Sequence, residues 1–504
     1  MSERLSRRSR GVAKTVASAL LVGAGALCAD EAVLVGGGHE LQASQGQIEL
    51  NVDWVGNILR ARDMPVTTFF TDGDETGPDV HYRLPGETPA GLLEPLARVF
   101  GDLDRERRRY RNHALPDVAG TTRRDALERD LGDVLERTAE EPLLLVYNGH
   151  GSQSPDNDAG VTLDLWGKTA MTARELHALV GERRGASESP LRYVFTQCYS
   201  GGFHRLAHAD ADAGLDLSDG LRCGFTSESA HALAEGCSAG IDIGDYRDYT
   251  TYFFAALDDR ERDGTVLDRD PDVNADGAVT LREAHLHALE KAHSTDLSRS
   301  SSESWLEDWQ PWFLRWLPPP ANPPNNEYAR LFRTLAADAD IPMETGIGRT
   351  LRDRLARHES SVQALRAERA ALRPETTALR VALQRSASAR WPALLGPYTD
   401  GYRELAASGE LERIAEWLAE QTSYAALVDL QARDGELESA VLGAERDATR
   451  SRKLLRLRHL ATLKGQLEAY GDATDRASYA RLLACEELPL VLDTGAAEFV
   501  STDE

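Results

Sequence analysis

Two short segments carry side chains able to open an acyl bond: Tyr147-Asn-Gly-His-Gly-Ser152 and Phe195-Thr-Gln-Cys-Tyr-Ser-Gly-Gly-Phe203. A thiol at neutral pH is only partly ionised. It needs an imidazole beside it to make thiolate and later to protonate the leaving group. Cys198 is therefore the candidate nucleophile and His150 the candidate general base. Gly149 and Gly151 remove side chains that would crowd such a site, and the Gly151 amide could face a developing oxyanion. Taken singly, a histidine is more often an ordinary surface or hydrogen-bonded residue and a cysteine a small buried hydrophobe. The arrangement is what separates these two, since they lie 48 residues apart, each directly after a hydrophobic run that reads as a strand.

A second constellation has metal-ligand spacing. Asp272-Val-Asn-Ala-Asp-Gly-Ala-Val-Thr-Leu-Arg-Glu283 matches the twelve-residue calcium loop. Asp272, Asn274 and Asp276 would supply oxygens at positions one, three and five, and Gly277 the sharp turn. Ala278 would give its carbonyl, Thr280 would act directly or through water, and Glu283 would bind with both oxygens. The helix that should follow is present in the pattern from Ala284 to Leu289, but Leu267 to Pro271 does not read as helix. An unpaired loop of this kind points to structural Ca2+ rather than to signalling, and the bland alternative is an acidic turn without an ion.

These residues need a scaffold, and from Ala32 onward short apolar runs alternate with helical periodicity. That pattern predicts an α/β fold with a mostly parallel sheet covered on both faces. Strands are expected at Ala32–Gly36, Val66–Phe70, Leu143–Tyr147, Leu191–Phe195 and Leu221–Phe225, with one helix face marked by Val52, Val55, Ile58 and Leu59 and further helices near 122–138 and 249–257. Thr172-Ala-Arg-Glu175 reads as a capping box opening another helix. In such sheets ligands sit beyond the carboxyl ends of the strands, where both nominated residues fall.

Through these motifs, residues Ala32 to Glu290 resemble the caspase, metacaspase, gingipain and legumain clan of cysteine peptidases, and in the caspase signature the His likewise precedes the Cys by about 50 residues. The resemblance implies a caspase-like three-layer sandwich and a cysteine endopeptidase acting through an acyl-enzyme. It makes His150 and Cys198 a dyad, with the Gly151 and Cys198 amides as oxyanion hole. Gln197 departs from the small residue frequent before the nucleophile. The clan lines its specificity pocket after the fifth strand, which nominates Ser227, Glu228 and above all Asp245, since Gly244-Asp-Tyr246 resembles the Gly-Asp-Trp step of legumains. An acidic pocket would favour cleavage after Arg or Lys, a legumain-like one after Asn. The alternative reading is a catalytically inactive caspase-like scaffold or calcium-stabilised interaction module. Asp164, Trp166 and the acidic turn Asp72-Gly-Asp74 are left open as rim residues.

Composition bounds the rest. The chain has 504 residues, 41% of them apolar, enough for two or three domains. With 82 Asp and Glu against 57 Lys and Arg, its formal charge is -25. That repels nucleic acid and anionic lipid but selects no substrate by itself, and the protein or peptide partner is what the resemblance implies. Residues 1–30, basic and then apolar, read as a signal peptide or basic leader, which predicts export, with a cytoplasmic location as the alternative. No cysteine pair has zinc spacing, and Cys223 with Cys237 is the candidate disulfide of an exported protein. The peptidase-like domain is expected over 31–300. A Ser/Trp/Pro-rich junction follows over 301–326, its tryptophans docked on the sheet domain and its prolines a stiff spacer. A helical domain over 327–504 is a candidate for self-association or partner binding. Within it, a short coiled coil or hairpin at 351–383 should be broken at Pro374.

Overall fold

A computed structural model of the chain describes residues 30–85, 94–101, 107–154, 160–212, 216–309, 311–316, 325–344, 346–395 and 399–490. The leader and the proline spacer lie outside them.

The apolar runs become strands in a mixed, mostly parallel sheet, because each is too short for a helix and flanked by turn residues. β1 (Glu31–Gly37), β2 (Val66–Phe70), β5 (Val118–Gly120), β6 (Leu143–Gln153), β9 (Leu191–Phe195) and β10 (Arg222–Thr226) run parallel. β11 (Arg299–Ser300) closes one edge antiparallel, giving the order β11-β10-β9-β6-β1-β2-β5. Two hairpin strands, β7 (Val161–Leu165) and β8 (Thr169–Thr172), hang from β6, and β3 (Val80–Tyr82) pairs β4 (Arg109–Arg111) separately. Both sheet faces are buried, as the near-continuous apolar strands require. One face packs Ile48, Val52 and Val55 of the helix Gly46–Arg60 with Phe253 and Phe254 of the helix Tyr249–Asp258. The other packs Leu127, Leu131 and Leu135 of the helix Arg124–Arg137 with Leu176 and Val180 of the helix Ala173–Arg184. Thr172 caps that last helix with the expected box.

The C-terminal half is helical, and its frame is an antiparallel pair of long helices, Ile347–Arg390 and Thr422–Tyr470. The direction follows from the cross-links, Glu359 to Arg452 at one level and Arg369 to Asp434 at another. The predicted break at Pro374 does not occur. Pro374 lies inside an uninterrupted helix, where packing along the partner helix outweighs the missing amide. The shorter helix Ala473–Glu486 returns the chain to the sheet domain.

Three further expectations are corrected. Cys223 pairs with Cys485, not Cys237, so the disulfide joins β10 to the last helix. Of the tryptophans, Trp305 and Trp309 pack inward, whereas Trp312 and Trp316 are 71% and 75% exposed. β6 also does not end before His150. Its first half pairs with β1 and β9, and from His150 to Gln153 it continues as a hairpin with β7, register His150↔Asp164.

Candidate active site at the ends of the central strands

The motif residues meet because β6 and β9 are neighbours in register, Tyr147 opposite Phe195. Beyond that pair the chains approach closely. A side chain at Gly151 would come within 2.5 Å of both the Cys198 carbonyl oxygen and Gln197 Cγ, so glycine is a requirement of this contact. Behind Cys198 the chain turns through Tyr199 in the left-handed region, φ 60°, and Gly201 abuts the backbone of Glu228 to Ala230 with no room for a side chain. Gln197 is buried, and neither amide atom of its side chain has a protein partner.

Each reactive group has its own neighbours. His150 Nε2 lies 2.9 Å from the Ala43 carbonyl and 2.8 Å from Gln45 Oε1. Because a carbonyl only accepts, Nε2 carries the proton and Nδ1 is the basic nitrogen. That nitrogen faces Cys237 Sγ at 3.7 Å. The Cys198 sulfur instead accepts from the Ala234 amide at 3.3 Å, with the Ala234 carbonyl 3.9 Å away. Among the described residues no hydrogen bond joins His150 to Cys198. Segment 232–238 crosses both groups, pinned where the Tyr199 amide donates to the Ala232 carbonyl at 2.9 Å and the Ser238 amide to Gln47 Oε1 at 2.9 Å.

The electrostatics favour neutral forms of both groups. Burial pushes the His150 imidazole below its usual range, opposed by the bond to Ala43. Burial pushes the Cys198 thiol up, opposed by the Ala234 amide.

The nominated pocket residues separate. Ser227 and Glu228 are buried behind the nucleophile loop rather than facing a cleft. The Ser227 hydroxyl lies 3.2 Å from Ser200 Oγ, and the Glu228 carboxylate accepts from the Ser229 and Leu297 amides, so both brace the turn after Cys198. Asp245 is exposed on the rim of a cleft of about 950 Å³ that lies between segment 235–247 and the long helices. Seven arginines line that cleft, among them Arg83, Arg108 and Arg373, against five carboxylates, among them Asp242 and Asp245. Distant parts of the chain supply these guanidinium groups. Asp164 is engaged locally, accepting from Ser152 Oγ at 2.6 Å and Thr162 Oγ1 at 2.8 Å.

The segment Asp272–Glu283 forms a loop whose ligand oxygens take backbone amides. Asp272 accepts from Gly277 at 2.9 Å, Asn274 from Asp276 at 2.8 Å and Asp276 from Ala278 at 3.0 Å. Gly277 adopts φ 91°, as the sharp turn requires. Glu283 has a second task, because with Thr280 it forms the capping box of the helix Leu281–Lys291. A metal could also be held elsewhere, at a buried cluster the sequence pattern did not reveal. Ligand atoms of Asp72, Asp79 and His113 all lie within 4.8 Å of one another. Asp72 Oδ1 is buried without a partner, and burial with the adjacent Asp79 charge pushes Asp72 up to about 6. His113 arrives from forty residues away in sequence, so no local spacing betrays this cluster. Cys237 and Ala234 were missed for a similar reason, since nothing in the sequence places their segment across the strand ends.

No protein-family model matches the chain, and no curated protein matches it.

Proposed function

We propose that the protein is a cysteine endopeptidase of the caspase and legumain type, with Cys198 as nucleophile and His150 as general base. The observation that carries this reading is the contact of Gly151 with Cys198 across the adjacent strands β6 and β9. It brings the segments that carry the imidazole, the thiol and the amides of residues 151 and 198 together at the carboxyl ends of two central strands, which supports the reading. The mostly parallel sheet covered by helices is the general architecture this reading requires. Attack by Cys198 on a peptide carbonyl would pass its proton to His150 Nδ1, which then protonates the leaving amine, and water completes hydrolysis of the thioester. Segment 232–238 must move aside for this. The Cys223–Cys485 disulfide favours an oxidising compartment and hence export. Among the described residues no helix is long and apolar enough to cross a membrane. The loop Asp272–Glu283 is assigned to structural Ca2+.

The second reading is a non-turning-over scaffold. It is favoured by one observation, that His150 Nδ1 faces Cys237 while Cys198 is capped by Ala234. A peptidyl acyloxymethyl ketone library, applied to the full chain with calcium present, separates the two. Covalent labelling of Cys198 that His150→Ala slows at least about a hundredfold supports the peptidase. Unlabelled Cys198 across the library, with turnover of no peptide, leaves the scaffold.

A further inference from the structure

The chain has two described free cysteines: Cys237, whose Sγ faces His150 Nδ1 at 3.7 Å, and Cys198, which packs against the neighbouring Gly151. Ala234 touches Cys198 Sγ, and Cys237 follows it by three residues, a span of roughly 10 Å at most. Gly236, at φ 127°, turns the chain between them, pressed on Asp248 where a side chain would clash at 2.8 Å. The segment is latched at Glu235, whose amide donates to Asp296 Oδ1 at 2.6 Å and whose carboxylate pairs with Arg446 of the long C-terminal helix. Cys237 itself is exposed and lines the open cleft, so a soluble reagent reaches it. The third and fourth described cysteines are already joined, buried under the last helix.

We infer that Cys237 is a resolving thiol, and that in the presence of a disulfide oxidant it forms a reversible disulfide with Cys198 that closes the site. The exchange balances in two steps. One protein thiol attacks a disulfide such as glutathione disulfide, giving a protein–glutathione mixed disulfide and one glutathione thiol. The other protein thiol then attacks the mixed disulfide, forming the Cys198–Cys237 bond and releasing the second glutathione thiol. Two protein thiols are oxidised and one glutathione disulfide is reduced to two thiols. His150 Nδ1, in contact with Cys237, is placed to take its proton and return it to the departing glutathione sulfur. That closing the site abolishes activity rests on the peptidase reading; the disulfide itself does not.

The test is peptide mapping of the full chain, in a Cys28→Ser background, after glutathione disulfide and again after dithiothreitol. The expected product is a cross-linked peptide pair containing Cys198 and Cys237, at least tenfold over either glutathione adduct, lost on mild reduction. The Cys237→Ser variant should instead keep glutathione on Cys198. Cys198 accumulating as the glutathione adduct equally in wild type and variant would overturn the proposal, as would modification of Cys237 with Cys198 left reduced. A cross-link in protein that hydrolyses no peptide when reduced would sink the peptidase reading alone; hydrolysis without a cross-link would sink this one alone.

Discussion

At the scale of single residues the chemistry depends on which protonation states burial allows. Burial raises Cys198 and lowers His150, so near neutrality the pair is thiol and neutral imidazole rather than thiolate and imidazolium. The sign for reactivity follows: thiolate appears only as pH rises past the ordinary thiol range. Iodoacetamide should therefore alkylate Cys198 ever faster up to and beyond pH 9, and a rate already level by pH 7 would contradict the burial argument. Cys198→Ala and His150→Ala should each lower kcat/KM at least about a thousandfold while circular dichroism and melting stay near wild type. Cys198 and His150 were nominated from local signals, their residue types and flanking apolar runs. Cys237, Ala234 and the arginines of the cleft were not, because each reaches the site through tertiary folding. Asp72 offers another check. Two buried carboxylates side by side repel, so Asp72→Asn should raise the melting temperature in chelator, and any gain from added divalent cation should appear only in wild type. A variant less stable than wild type in chelator would show that Asp72 is already compensated.

At the scale of elements, periodicity located four of the five expected strands to within a residue, yet it ended β6 too early and did not find the short β5, β7, β8 or β11. The reason is physical: Asn148 to Gln153 is polar and glycine-rich, a composition that reads as loop, but its backbone is paired by β7. The reverse error occurred at Pro374, a local breaker overridden by the long partner helix. Pro374→Ala should restore one helical hydrogen bond at an exposed position and stabilise the protein by up to about 3 kcal/mol, read as a higher urea midpoint. An unchanged midpoint would mean that the helix has already adapted to the ring. The loop Asp272–Glu283 was nominated from a purely local spacing, and its Glu283 carries a second role in the capping box of the following helix. Glu283→Ala should destabilise by about 1 kcal/mol even in chelator, since it removes a capping box. Asp272→Ala lies outside that box and is the cleaner probe, expected to erase the calcium-induced rise in melting temperature. Equal rises in Asp272→Ala and wild type would exclude the loop as the binding site.

At the scale of the whole molecule, the two halves are fastened together at the starts of β9 and β10, the opposite end of the strands from the candidate site. The Cys223–Cys485 disulfide spans 262 residues. Near it Glu486 accepts from Ser301, Ser302 and Arg282, and the buried Arg192 of β9 donates to the Leu488 carbonyl at 2.8 Å. Removing the bridge leaves these polar contacts, so the fold should survive. What changes is the unfolded chain, which gains the freedom of a very long loop. In the chain-entropy account a closure of that length stabilises by about 5 kcal/mol, and measured effects generally fall below it. Cys485→Ser should therefore melt well below wild type, by several degrees. The decisive comparison is with a reductant, because dithiothreitol strong enough to open the bridge should bring wild type down to the variant and leave the variant where it was. If wild type does not shift once the bridge is confirmed open, the docking rests on the ionic contacts. A variant that shifts equally would place the effect of the reductant at other cysteines.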